Sequence, residues 1–566
     1  MSLLVAIMDG FGLAMFLPLL QLVSNGSMAT GERTGEMGFI LEHIEAIGFR
    51  PDLTTVLLFL LMFFTLKGVA RFGLDYYRVI LQQRFANALR LRNLNLLVGA
   101  SYGKFADAHS GTIQNTLSSE VVRVNQAYLN YFQLLQYLVM TIVYAVLAYL
   151  ANPRFAAIVV VGGLLSNVAF KWINRTTRAA SSAISRGMNV YQGLLIESVA
   201  SFKYLKATGL LERFSRKVST TIREAEAQQR RIGLMNAVTY AVREPLIVLV
   251  VVTAIFVQLM VFGEGIGLII LSLLFFYRAL TSITAVQSCY NQFLGYSGSI
   301  GNLIAFTEEM KGGQEPPGSK PFTGLRDRIE VSHLDFRYRD KQVLKDLSVQ
   351  INKYDTIGIA GESGSGKTTL VNLVTALLQP AAGMIRVDGV DVTEIVKEDY
   401  RRRIGYVTQE AQVFSGTIHD NVALWDGSDK NDEPVWEALR LAHAAEFVRS
   451  LPDGISTRIG INGINLSGGQ RQRIAIAREL YRKVDILILD EATSALDSQS
   501  EKLIQDNIDH LAGTLTLIVI AHRLSTLRKV DKIVFLRVGG DHEVDTFANL
   551  LKSSGDFRKM VALQAV

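Results

Sequence analysis

The sequence predicts a bundle of long apolar helices followed by an α/β domain built on a buried parallel sheet, and three observations carry that reading. Composition breaks near residue 320: the first 320 residues hold 45 Asp, Glu, Lys and Arg, and the rest of the 566-residue chain holds 65. The charge-poor part contains six apolar stretches, each near the twenty residues or so that a bilayer core requires. The charge-rich part joins a short apolar run to a helical pattern through a glycine-rich turn.

The whole-chain figures exclude several classes. A net charge of +6, from 58 basic and 52 acidic residues, is too small an excess to indicate nucleic acid. Only 19% of residues are charged and the mean hydropathy is +0.25, which disfavours a soluble, disordered or collagen-like chain. Cys289 is the single cysteine, so no internal disulfide forms, and no Cys/His cluster has metal-ligand spacing.

The six stretches are residues 2–23, 53–70, 128–150, 155–173, 246–262 and 266–285. In lipid only a helix satisfies its own backbone within one segment, so six helical spans are expected. Between the second and third lie Arg71, Arg78, Arg84, Arg90, Arg92, Lys104 and Arg123, and between the fourth and fifth lie Arg175, Arg178, Lys203, Lys206, Arg213, Arg216, Lys217, Arg230 and Arg231. The positive-inside rule makes both segments cytoplasmic and puts both chain ends in the cytosol. Both are rich in helix formers and carry no proline ahead of Pro245, which adjoins span five, so spans two to five are expected to continue beyond the membrane as helices that turn near residues 110–118 and 198–208. The first run has no Lys or Arg ahead of it, unlike a secretory signal, and it encloses Asp9. A lost cytoplasmic leader or a misassigned start is expected. Residues 311–320, a Gly/Pro-rich polar stretch, read as a linker, which divides the chain into a membrane domain over 1–310 and a second domain over 321–566.

The second domain carries the chemistry. An apolar run over 356–360 leads into Gly361, Glu362, Ser363, Gly364, Ser365, Gly366, Lys367 and Thr368, and a helical pattern begins at Thr369. In this strand-to-helix setting glycines let backbone N–H groups curl around phosphate oxygens at a helix N-terminus, Lys367 reaches the outer phosphates, and the Thr368 hydroxyl holds Mg²⁺. Further on, Ile486, Leu487, Ile488 and Leu489 form a run suited to a buried parallel strand that ends in Asp490 and Glu491. Asp490 is expected in the Mg²⁺ shell, and Glu491, pointing the other way, is expected to orient and deprotonate the attacking water. Between these elements stand Ser467, Gly468, Gly469 and Gln470, opening another helix and so another anion cradle.

At Leu466 to Arg473, read between the two phosphate-site motifs, the sequence resembles the ATP-binding cassette transporters, whose signature this is. The resemblance implies that Ser467 closes on ATP held by a second subunit. It further implies that Tyr338 stacks on adenine, Gln409 senses Mg²⁺ and contacts the membrane half, Asp497 in the 494–497 loop touches the partner, and His522 faces the γ-phosphate. Ile461 and Asn462 stand where many exporters carry an acidic element ahead of the signature. Six spans followed by one cassette is similar to the exporter-type half-transporter, working as a homodimer or as a heterodimer with a related chain. The fold class expected is therefore an α-helical membrane domain of six transmembrane helices with long cytoplasmic extensions, followed by an α/β P-loop ATP-binding cassette, with ATP and Mg²⁺ as cofactors.

For the cargo, Arg278 inside the sixth span is costly in lipid unless it faces water or a partner. Arg278, Lys67 and Arg71 are expected to line a central cavity and attract an anionic head group. The alternative is that Lys67 and Arg71 snorkel and Arg278 pairs with Glu244. Residues 37–49 have the spacing of an interfacial helix, similar to one in bacterial flippases for lipid-linked oligosaccharides. An ATP-driven flippase for a lipid-linked anion is thus expected at the cytoplasmic membrane, against an exporter of peptides or hydrophobic small molecules, a soluble cassette ATPase, or an ATP-gated channel.

Overall fold

The computed structural model describes residues 2–16, 19, 52–151, 153–257, 260, 266–381, 383–424, 431–460, 463, 465–490, 502, 506, 509–521 and 523–564. It divides into two compact units, Met1–Ala100 with Lys104–Gln314, and Ser101–Gly103 with Glu315–Val566.

The first unit is helical. In chain order it contains α1 (Ser2–Ala14), α2 (Leu53–Val98), α3 (Tyr102–Asp107), α4 (Ser110–Asn115), a π-turn (Thr116–Glu120), α5 (Val121–Ala151), α6 (Pro153–Ala200), α7 (Phe202–Ala207), α8 (Leu211–Val257), α9 (Ile266–Leu294) and α10 (Ser297–Gly312). The described residues of the six apolar stretches are helical apart from a turn at Met15. Among the described residues three helices, Leu53–Val98, Ser110–Leu150 and Leu211–Thr253, are long and apolar enough to cross a membrane, and Ser2–Leu13 is a shorter apolar helix. At 46, 48 and 47 residues, α2, α6 and α8 run well past the length of a bilayer core. Pro245 lies inside α8 without ending it.

The second helical turnaround falls on α7, within the stretch expected. The first does not: the chain breaks between Val98 and Ser110 around α3, and residues 110–118 are already helical on the return. The reason is local. Gly99 closes α2 by donating to the Asn95 carbonyl at 3.0 Å, whereas Ser118 returns its hydroxyl to the Gln114 carbonyl at 2.6 Å and so stays within a helix. Apolar side chains such as Leu58, Leu61 and Val69 are exposed along α2, the pattern of a helix whose solvent is hydrocarbon. Inside, Leu13, Val56, Ala148 and Phe275 join α1, α2, α5 and α9 in one apolar cluster.

The second unit holds two main sheets. Strands β1 (Arg328–Tyr338), β2 (Lys341–Asn352), β4 (Ile385–Val387) and β5 (Val390–Asp391) form an antiparallel sheet in the order β2-β1-β4-β5. Strands β3 (Thr356–Gly361), β6 (Ile404–Val407), β9 (Ile486–Asp490), β10 (Thr516–Ile520), β11 (Lys532–Leu536) and β12 (His542–Asp545) form the other, in the order β12-β11-β3-β10-β9-β6. All its pairs are parallel except that with β12, and a small ribbon joins β7 (Gly416–Thr417) to β8 (Arg458–Ile459). The period-2 alternation of the parallel strands divides the core. Ile486 and Ile488 face the cluster containing Leu370, Val371 and Leu373 of α11 (Lys367–Val374). Leu487 and Leu489 face the opposite cluster, with Ile474, Ala475 and Ile476 of α12 (Gly468–Tyr481). Burying each such side chain contributes about 2 kcal/mol, which is why continuous apolar runs specify central strands here.

Glu315 onward is strapped to this unit rather than left as a free linker. Glu315 takes a forked contact from Arg401, Lys320 pairs with Glu394 at 2.6 Å, and the Ser319 N–H donates to the Glu394 carbonyl at 2.7 Å. At its other end, 311 and 312 complete α10.

Candidate nucleotide site and intramembrane charges

The loop after β3 is shaped by backbone conformations that only glycine adopts cheaply. Gly361 has φ +148, and a Cβ there would lie 2.2 Å from the Leu536 carbonyl oxygen of β11. Gly361→Ala is expected to destabilise the second unit by about 3 kcal/mol, from overpacking plus the strained φ; urea denaturation of the purified protein measures it. Gly366, also left-handed, precedes α11 with no side-chain cap, so the first N–H groups of α11 remain for an anion. Lys367 is buried, and its Nζ donates to the carbonyls of Gly361 at 3.0 Å and Glu362 at 3.1 Å, which holds the ammonium in the curve of the loop. Ser365 is buried with its Oγ lacking a hydrogen-bond partner, while Glu362, Ser363, Gly364 and Thr368 are exposed and Thr369 is buried.

Parallel register brings the other strand ends to the same edge. Ile520 of β10 pairs with Ile359 of β3 on one side and Asp490 of β9 on the other. Asp490 is half-buried and accepts from the Tyr406 hydroxyl at 3.2 Å. Burial pushes the Tyr406 phenol up, and the neighbouring Asp490 carboxylate adds to the shift, so this hydroxyl stays a donor at any physiological pH. Sequence reading missed Tyr406. Its one signal is the position: an aromatic in β6, beside β9 and three residues before Gln409. Tyr406→Phe is expected to raise the Mg²⁺ concentration for half-maximal hydrolysis by about threefold, the size of one lost hydrogen bond, as read by a Mg²⁺ titration of phosphate release.

Gln409 is exposed just after β6. Tyr338 is 47% exposed at the end of β1 and meets Phe336 edge-on at 5.0 Å between centroids. Its hairpin reaches the phosphate loop, since the end of that loop lies against Val343 of β2.

Ser467 caps α12 in a reciprocal box: its Oγ accepts from the Gln470 N–H at 3.2 Å, and Gln470 Oε1 accepts from the Ser467 N–H at 2.8 Å. The serine oxygen accepts within the box, so its own O–H stays available to donate to an anion. Gly468 and Gly469 follow in the first turn. Because α12 packs on the opposite sheet face from α11, the two cradles belong to different cores. Arg478, also missed, fastens α12 to the chain after Gln409, donating to the carbonyls of Gln412 and Asn421, each at 2.8 Å, and lying over Phe414. Glu491, Asp497, His522, Ile461, Asn462 and the interfacial stretch 37–49 lie outside the described residues.

The three cargo candidates are not one set. Lys67 is ion-paired and hydrogen-bonded to Asp9 of α1, and its ammonium lies 5.2 Å from the Phe64 ring centroid. Arg71 is exposed beside Asp75 at 3.9 Å. Arg278 is half-buried, and among the described residues no carboxylate, Glu244 included, stands within ion-pair distance of it; the Arg278–Glu244 alternative is not seen. The short Asp9 side chain outcompetes solvent for Lys67 because both are walled by apolar helix faces.

Residues 1–282 match the model of the ABC transporter transmembrane region, and residues 344–494 that of the ABC transporter. The heterocyst differentiation ATP-binding protein HepA of Nostoc sp. is 30% identical over 91% of this chain and 85% of its own length. The chain belongs to the ABC transporters. An ATP-dependent lipid A-core flippase of Thiobacillus denitrificans is 31% identical over 93% of the chain and 91% of its own length. In structure, a bacterial Atm1-family ABC exporter with ATP bound shares the fold with a TM-score of 0.76 at 23% identity, over 99% of this chain and 98% of that one. This ABC transporter has the exporter fold, is embedded in a membrane by its helical region, and couples ATP hydrolysis to transport. One membrane region and one ATP-binding domain make it a half-transporter.

Proposed function

We propose that two copies of this chain flip an amphipathic, anionic, lipid-linked substrate, such as a lipid-linked oligosaccharide or glycolipid, across the cytoplasmic membrane by alternating access. The observation that carries the cargo class is Arg278, a cation in an apolar span with no carboxylate at ion-pair distance among the described residues. Flippases among the relatives favour the same class.

In this reading the membrane domain is 1–310, the linker 311–320 and the cassette 321–566. Tyr338 stacks on adenine, the loop from Gly361 to Thr369 holds the phosphates, and the partner copy's signature turn closes the ATP. Asp497 meets the partner subunit, and His522 contacts the γ-phosphate. Thr368, Gln409 and Asp490 would hold Mg²⁺: an exposed hydroxyl, an exposed amide and a half-buried carboxylate are all-oxygen donors suited to that ion. Bound there, Mg²⁺ would neutralise phosphate charge. Glu491 takes the proton of the attacking water, and ATP-driven closure of the two cassettes turns the cavity outward.

The test is ATPase stimulation of the transporter in vesicles by polyprenyl-pyrophosphate glycans, lipid A-type lipids and peptides. Stimulation and flipping by the lipid-linked anions, lost in Arg278→Ala, is the expected result. Stimulation by peptides alone would replace this reading with peptide export.

A further inference from the structure

Asp9 is the anomaly of the first apolar helix, and the ATP chemistry makes no use of it. It is 3% exposed, one carboxylate oxygen takes the Lys67 ammonium of α2, and the other takes the Tyr144 hydroxyl of α5. The helices approach closely here: a Cβ on the adjacent Gly10 would lie 2.4 Å from Cδ1, the tip of the Leu147 side chain of α5. Phe276 and Ala279 of α9 pack with Tyr144 in one apolar cluster, and Arg278 lies between them in the sequence, an electrostatic neighbour of the phenol. Leu13, Leu147, Phe275 and Phe276 around it are apolar, so the buried Asp9 carboxylate is weakly screened, while Lys67 and Arg278 keep part of their surface exposed.

Four helices thus converge on two cations, one carboxylate and a phenol. Asp9 cancels Lys67, and the cluster keeps one positive charge, on Arg278.

We propose that Asp9, Lys67, Tyr144 and Arg278 form a charge-selective cargo subsite in which Asp9 is the specificity-determining counter-ion, holding Lys67 neutralised so that the site presents a single positive charge to a phosphate-bearing head group. The proposal deepens the anionic-cargo reading above and rests on it. The subsite discriminates by charge count: an uncancelled Lys67 would favour the more highly charged pyrophosphate over a monophosphate.

The experiment titrates a polyprenyl monophosphate, and separately a polyprenyl pyrophosphate, into phosphatidylcholine vesicles holding the full-length transporter, and reads the mole fraction that half-stimulates ATP hydrolysis. Asp9→Asn keeps the shape and a partner for Tyr144 but frees the Lys67 charge. It should lower the half-stimulating fraction about tenfold and shift preference toward the pyrophosphate. Lys67→Met, which leaves Asp9 facing Arg278, should raise it about tenfold. The double variant, again carrying one net positive charge, should return to the parental value. A purely structural ion pair gives no such reversal of sign: both single variants would weaken stimulation alike, and that result, or a double variant that fails to recover, overturns the subsite. If the parental transporter is stimulated by neither phosphate, the anionic-cargo reading falls and takes the subsite with it; parental stimulation without the sign reversal removes the subsite alone.

Discussion

Replacing Lys367 by alanine is expected to reduce ATP hydrolysis by about 10²- to 10³-fold, the range for deleting a preorganised electrostatic group at a developing negative charge. Among positions 361–369 Lys367 is the one basic residue, so no neighbour in the loop can stand in for it. Its ammonium is held in the curve of the loop by donation to the Gly361 and Glu362 carbonyls, and its burial limits access of water to it. Arginine should not restore activity, because a planar guanidinium does not fit the point-charge position between two loop carbonyls. Phosphate release from the vesicle-embedded transporter checks the rate, and a thermal melt separates loss of chemistry from loss of fold. A variant hydrolysing at half the parental rate would contradict the assignment.

The second large effect is expected at Glu491. Glu491→Gln should lower hydrolysis by about 10²- to 10⁴-fold, the value of a positioned general base, while leaving ATP bound and the two cassettes paired. Asp490 ends β9 half-buried and accepts from the Tyr406 hydroxyl, and Glu491 is the carboxylate that follows it in the sequence, so the expected division is one carboxylate for the ion and one for the proton. Retention of labelled ATP, together with a stable dimer in size-exclusion chromatography, checks it. Unaltered turnover would move the base to another group.

What was legible in the sequence was local. The phosphate loop needs a strand, glycines and a helix start in consecutive positions, and the cap at Ser467 needs only Gln470 three residues on. Less legible were contacts that join distant positions. Tyr406 meets Asp490 across 84 residues, and Arg478 reaches back 57 residues to Asn421. The first turnaround was placed too late: the chain turns between Val98 and Ser110, and at 118 the serine hydroxyl bonds back to the Gln114 carbonyl within a helical path.

Hydrophobic period, glycine placement and charge distribution, all properties of neighbouring residues, by themselves established two solvents, a helical part and a phosphate-binding α/β part. Pairing of charges within the apolar helices was decided only by the tertiary structure. Asp9 and Lys67 are 58 residues apart and Asp9 and Tyr144 are 135 apart, so no pattern along the chain shows that one carboxylate meets both. Helix packing supplies that meeting, and the low polarity around it makes the partner of each charge, rather than its presence, the quantity that sets its role.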